Sequence, residues 1–428
     1  MFIDFPESDV KVQGLDEVSI PSMYTVRQVF DASKVDDVVG ELQAQLDALP
    51  NHDSYAGKRI ALTVGSRGIP HLVDMVRCIC DTLKAWGASP FIVPSMGSHG
   101  GATAEGQLEM LAGYGITPES IGVPIPSSME VVQYAELDGI PLYCDANAAA
   151  ADGIVIFNKV KPHTEFRGEH ESGLAKMIAI GIAKHKGAAM FHSFGFDRFG
   201  ELIPQVAEKF VAHMPVVFGV GVVQNAFDDI CAVEACEPHD LLACDKRLLR
   251  VAFDRMAKFL FDHIDLLIID EVGKNISGNG HDPNITGRNL AGNFSQMLDL
   301  KKLMVRGITE VSHHHGAGLA CADVATRKLL SSVDWGATWT NVMTTGVTAG
   351  AKIPFYTNTE EEAVRVALRT CPGIDLANPR VARIVNTLEM DKIKVSKAIY
   401  DEIRDQPNIE YVSGPTPMEF DANGDIVG

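Results

Sequence analysis

Short apolar runs that end in glycine breaks, each followed by helical periodicity, recur along this chain. Arg59-Ile-Ala-Leu-Thr-Val64 breaks at Gly65-Ser66-Arg67-Gly68, and a helix is predicted over residues 70–86, with Pro70 suited to its first turn. Pro90-Phe-Ile-Val-Pro94 breaks at Met96-Gly97-Ser98-His99-Gly100-Gly101, with a helix expected over 103–111. This rhythm is that of a parallel sheet with crossover helices. A short strand pair and a helix over 35–49 precede it. After it come a helix start at Thr117-Pro118-Glu119-Ser120, an alanine-rich stretch at 146–151, a strand at 153–157, a helix at 199–213, a strand at 216–223 and an amphipathic helix at 238–261. Beyond a strand at 264–269, a polar, glycine-rich loop runs to Arg288, and loops of that length are often functional or mobile. A strand at 303–308 and helices at 321–333, 359–369 and 379–386 complete the pattern. The predicted fold class is α/β, with two domains, each a mainly parallel sheet flanked by helices. The domains are expected at 1–250 and 251–428, with room for the last residues to pack back on the first domain, and the active site is expected in the cleft between them.

At 428 residues the chain has length for two or three domains with large cores. Its 46% hydrophobic and 22% charged content is that of a globular protein. A formal net charge of -19 argues against nucleic acid or an anionic membrane as partner, but a local field can still favour a small anionic substrate. No stretch approaches the roughly 20 apolar residues of a bilayer span. The first residues, MFIDFPESDVKV, lack a basic region followed by an apolar run, so a cytoplasmic location is expected. Cys78, Cys80, Cys144, Cys231, Cys236, Cys244, Cys321 and Cys371 form no CxxC pair, which leaves a four-thiolate metal site without a ligand set.

One segment runs against the global charge. Residues 159–192 carry Lys159, Lys161, Arg167, Lys176, Lys184 and Lys186 against Glu165, Glu169 and Glu171, together with His163, His170, His185 and His192. The segment follows the predicted strand at 153–157, and ligands bind past the carboxyl ends of such strands. Its basic groups favour an anion, and its imidazoles can exchange protons or bind a transition metal. A solvated basic surface is the plain alternative. The two glycine turns expose backbone N–H groups that suit an anion, though neither is a Walker or GxGxxG motif. Arg67 can grip a carboxylate through two parallel hydrogen bonds.

Arg67, the Gly97-Ser98-His99 turn, His163, Ser172-Gly-Leu-Ala-Lys176, His192, Glu271 and Lys274, taken in order, resemble the nickel-dependent lactate racemase family. The spacing carries the resemblance: 32 residues from Arg67 to His99, 64 from His99 to His163, and 16 from Lys176 to His192. It implies a nickel-pincer nucleotide (pyridinium-3,5-bisthiocarboxylic acid mononucleotide nickel) joined covalently to Lys176, with His192 as metal ligand. His99 and His163 would alternate as acid and base. Arg67 and Lys274 would hold the substrate carboxylate or the cofactor, Glu271 would line the site, and Ser66, Gly97, Ser98, Lys161 and Ser172 would contact the cofactor.

The implied activity is racemisation or epimerisation of a 2-hydroxy acid by transient hydride removal, because loss of hydride leaves a stable 2-oxo acid. Lactate, a sugar acid and a dicarboxylate all remain open as substrate. Implied partners are that small anionic substrate and the cofactor-synthesis enzymes, without which an isolated chain lacks its cofactor; a homo-oligomer is compatible.

His170 competes with His163 for one acid/base role. A zinc-dependent hydrolase built on the same histidines is one rival reading, and it needs three protein ligands. A non-catalytic binder of a phosphorylated small molecule is the other. His313-His314-His315, beside Gly316, reads as a strand-to-helix turn rather than a metal tract, Trp335 and Trp339 as packing residues or an aromatic lid, and Lys184, His185 and Lys186 as the outside of a helix.

Overall fold

The computed structural model describes residues 1–66, 68–290, 294, 296–345 and 347–428. The chain divides into two compact units, one of residues Asp31–Met256 and one of Met1–Phe30 together with Ala257–Gly428. Strand β1 (Met23–Gln28) shows why the first residues do not join residues 31–250 as expected. It hydrogen-bonds antiparallel to two strands near the carboxyl end of the chain.

In the Asp31–Met256 unit, β2 (Arg59–Val64), β3 (Ser89–Pro94), β6 (Gly153–Lys159), β7 (Val216–Gln224) and β8 (Ile230–Cys236) form one sheet in the order β3-β2-β6-β7-β8. The first four are parallel and β8 runs antiparallel to β7. A parallel strand covered on both faces needs apolar side chains nearly throughout. Ile60, Leu62 and Val64 of β2 accordingly join the core on one face, and Ala61 the core on the other.

The first core takes the stripe Leu72, Met75, Val76, Ile79, Cys80 and Leu83 from helix Leu72–Ala85, at the spacing of one helical face. Ile79 is wholly buried, so Ile79→Ala should cost about 2–5 kcal/mol. Pro70 precedes this helix rather than opening it, because His71, at φ 58°, is its N-cap. The second core holds helices Phe199–His213 and Leu241–Arg255. A separate hairpin of β4 (Val131–Leu137) and β5 (Ile140–Asp145) turns at Asp138-Gly139, both at positive φ.

In the other unit, β9 (His263–Ile269), β10 (Asp299–Val305), β11 (Val324–Thr326), β12 (Phe355–Thr357), β13 (Val381–Ile384), β14 (Lys392–Ser396) and β15 (Ile409–Thr416) join β1 in the order β12-β11-β10-β9-β13-β14-β1-β15. Pairing is parallel from β12 to β13 and antiparallel beyond. Helix Glu360–Arg369 starts at Thr359, whose side chain accepts from Glu362 N, and packs Ala363, Val364 and Ala367 with Leu266, Ile268 and Met304.

The helix expected at 379–386 is β13 instead. A short apolar run fits either structure, and here it lies between β9 and β14 with the Arg383 guanidinium held by Asp270 at 2.8 and 3.0 Å. The helix expected at 321–333 likewise divides into β11 and the short helix Arg327–Ser331, capped by Thr326. Both units are therefore mainly parallel α/β layers. Among the described residues, no helix is long and apolar enough to cross a membrane.

Candidate functional site

Chain order reverses at β2 in the Asp31–Met256 unit, with β3 on one side and β6 on the other. The carboxyl ends of strands beside such a reversal are where open α/β sheets bind ligands. Ser66 follows β2 at that point, the His99 turn follows β3, and the basic segment follows β6.

The loop after β6 is closed by a two-way backbone bridge: Lys161 N donates to Ser172 O at 2.8 Å and Ser172 N to Lys161 O at 3.2 Å. Inside it the Glu171 carboxylate, 1% exposed, accepts from the backbone of His163 at 2.7 Å, that of Gly168 at 3.2 Å, and the Arg167 guanidinium at 3.0 Å. Burial raises the pKa of Glu171, while Arg167 and the two N–H groups oppose the rise. His170 turns into the core, where Nδ1 meets Asp245 Oδ2 at 3.0 Å. Asp245 Oδ1 accepts Leu174 N at 2.6 Å and so anchors the turn that carries Lys176. A side chain at Gly173 would collide with that carboxylate. His170 is therefore a buried brace, and His163 is the loop histidine that meets Lys176.

His163 Nε2 lies 2.5 Å from Lys176 Nζ, and His163 Nδ1 accepts the Glu165 backbone N–H at 3.0 Å. With Nδ1 accepting, the neutral ring carries its proton on Nε2. Burial first, then the charges of Lys176, Lys161, Arg167 and His192, hold the His163 pKa well below 6.5.

His192, at the carboxyl end of helix Lys184–His192, also has a lowered pKa, through desolvation and then Lys176 and His99. His99, His192, His163 and Lys176 thus stand within one another's fields as a chain. Aromatic rings back them: Phe196 lies 6.2 Å from the His163 ring and 5.4 Å from His192, with Phe166 and Phe199 alongside. His99, exposed, meets Met96 O through Nδ1 at 2.8 Å; as donor there, it leaves Nε2 as its accepting nitrogen.

Gly97, at φ 58°, donates to Gly181 O at 3.0 Å, so the His99 turn rests on the π-helical turn Met177–Gly181 that follows Lys176. Such turns are frequent at functional sites. Ser98 is exposed, and Ser66 O accepts the Tyr114 hydroxyl at 2.8 Å. Arg67 lies outside the described residues. Glu271 and Lys274 belong to the other unit. Glu271 Oε1 accepts Asn386 Nδ2 at 3.0 Å beside the reversal between β9 and β13, and Lys274 Nζ donates to Asn341 Oδ1 at 2.5 Å, its pKa lowered by desolvation.

The three consecutive histidines do not converge. His314 bonds Ser332 O and His315 accepts Ala317 N. Trp335 and Trp339 bond backbone carbonyls as packing residues do. Lys184, expected outside, is wholly buried, whereas His185 and Lys186 are exposed. Among the described residues, no three side chains of the metal-binding kinds gather at one place. Glu171, Asp245, Asp145 and Gln107, which build the site's surroundings, carry no motif by which the sequence could have marked them.

No family model matches the chain, and no curated protein matches it. Several solved structures resemble it, and two illustrate the likeness. One is a protein from Thermotoga maritima, 12% identical, covering 73% of this chain and 80% of its own, with a TM-score of 0.44. The other is the lactate racemase apoprotein from Thermoanaerobacterium thermosaccharolyticum, 16% identical, covering 83% and 87%, also at 0.44. At that level of likeness neither structure bears on the chemistry of this chain.

Proposed function

We propose that the chain is an isomerase that inverts the hydroxyl-bearing carbon of a small 2-hydroxy acid, as the residue pattern shared with nickel-dependent lactate racemases implies. The observation that supports it most is the 2.5 Å contact of the Lys176 amine with His163, with His192 and His99 in the same field. The residues fit a nickel-pincer nucleotide. The Lys176 amine can form the covalent link, and one imidazole, His192, can complete a metal whose other donors come with the cofactor. Reversible acceptance of hydride is the chemistry that group supplies when bound.

The chain's own side chains handle protons and charge. His99, its Nδ1 committed to Met96, offers Nε2 to a substrate hydroxyl proton. His163, kept neutral by burial and its positive neighbours with its proton on Nε2, is the second acid/base group, placed to give a proton where His99 takes one; each such group typically contributes about 10²- to 10⁴-fold. Lys161 and Arg167 make the surroundings attractive to a carboxylate. The zinc-hydrolase alternative needs three protein ligands in one place, and the described residues assemble no such group.

The test is intact mass of the chain produced together with the cofactor-synthesis enzymes, followed by chiral chromatography of lactate, sugar acids and hydroxy-dicarboxylates. An adduct of mononucleotide size that vanishes in Lys176→Ala, with inversion of at least one substrate, is expected. An unmodified Lys176 under those conditions would refute the reading.

A further inference from the structure

Lys184 is an outlier twice over. It is a lysine with no exposure, and its backbone sits at φ 55°, where side chains other than glycine rarely go. An ammonium taken out of water and a left-handed non-glycine residue both oppose folding, and such strain collects at functional sites. Its Nζ donates to Pro94 O at 2.6 Å and Gln107 Oε1 at 3.0 Å, and forms an ion pair with Asp145 Oδ2 at 3.1 Å. Gln107, itself unexposed, passes the interaction on, for its Nε2 donates to Gly97 O at 2.9 Å and to His99 O at 3.3 Å. Asp145 completes the circuit, its backbone N donating to Ile182 O at 2.8 Å in the segment between Lys176 and Lys184.

We propose that Lys184, Asp145 and Gln107 are positioning residues, a buried frame that fixes the His99 turn against the Lys176 turn and thereby holds the His99 imidazole in its Nδ1–H form. Pro94 and the two carbonyls bonded by Gln107 lie in β3 and the turn it feeds, while Ile182 and Lys184 continue the turn that carries Lys176. The two halves also meet directly, through Gly97 N and Gly181 O. A displacement of Lys184 must therefore move both. This inference rests on the proposed acid/base role of His99.

Gln107→Met removes the link to both carbonyls and leaves the Lys184–Asp145 pair in place. The first readout is side-chain ¹⁵N NMR of the histidines in the cofactor-free chain, with His99 assigned by His99→Gln. The wild type should show His99 in a single Nδ1–H tautomer, and Gln107→Met a mixture. In the cofactor-loaded enzyme kcat should fall roughly 10²-fold with KM within a few-fold, as expected when a catalytic group drifts by about 1 Å. An unchanged tautomer together with unchanged kcat overturns the frame. Should Gln107→Met not fold, Gln107→Glu, which keeps the acceptor for Lys184 and loses the donor to Gly97 and His99, decides on the same signal. If the wild type inverts no 2-hydroxy acid, the tautomer comparison still judges the frame, and that failure falls on the proposed function alone.

Discussion

Acidification should unfold the unit that contains His281 in a way this one residue accounts for. His281 has no exposure, its Nδ1 meets Thr286 Oγ1 at 3.1 Å, and its Nε2 has no partner among the described residues. Burial, aided by Arg288, pushes its pKa down from 6.5 to about 4. The unfolded chain takes up the proton near 6.5, and the folded chain declines it until about 4. Stability from this group is therefore complete above 6.5, is lost as pH falls through the window, and is flat below it; the full loss is about 3 kcal/mol, of which about 2 has gone by pH 5. His281→Leu removes the titration.

The chain has three tryptophans, and Trp86 lies in the other unit, so a Trp86→Phe background leaves Trp335 and Trp339 to report the unit of interest. Urea unfolding followed by their fluorescence at pH 7 and pH 5 should show the wild type losing about 2 kcal/mol more than His281→Leu. Equal losses in the two proteins would mean that the imidazole is open to water, and the reasoning would fall.

Four further outcomes are expected. Because the His163 pKa is lowered well below 6.5, first by burial, its ring should stay neutral as pH drops through 6.5 in side-chain ¹⁵N NMR of the cofactor-free chain; a His163 signal that titrates at 6.5 would contradict the assignment. Asp245→Ala strands His170 and Leu174 N in the core and should lower stability by about 1–3 kcal/mol or more by urea titration, whereas His163→Gln should abolish turnover with far less effect on stability. Gly100→Ala places a Cβ within 2.6–2.7 Å of the Gly106–Gln107 backbone at φ 67°, so it should lose at least about 1–2 kcal/mol and depress kcat, as thermal unfolding and steady-state rates would show. Lys184→Met leaves the Asp145 carboxylate buried and unpaired and should cost about 3–5 kcal/mol, much of it recovered in Lys184→Met/Asp145→Asn.

What can be read from the sequence is what repeats or what is local. The strand at 59–64 and the helix after it announce themselves by apolar period, and the site's place past β6 follows from the strand end at 157 with the charges beyond it. The β4–β5 hairpin carries a legible sign too, Asp138-Gly139 between strand-forming residues, which the rhythm of parallel strands and helices alone overlooks. Residues 379–386 are not legible, because the choice of strand depends on β9 and β14, remote in sequence. The burial of Lys184 is hidden for another reason. A positive φ at that residue breaks the helical phase, so counting around a regular helix puts its side chain on the wrong side. The difference between His170 and His163 lies with Asp245, which no motif marks.

The place of β1 bears on how the chain is made. Its two neighbours, β14 and β15, begin at Lys392 and Ile409, so β1 leaves the ribosome more than three hundred residues ahead of either partner. At about 5–20 residues per second that is a wait of roughly twenty seconds to more than a minute. Before it ends residues 31–256 have every strand of their own sheet at hand and can fold around the nascent site. The early segment meanwhile trails as an unmatched ribbon, and chaperone capture during translation should concentrate there.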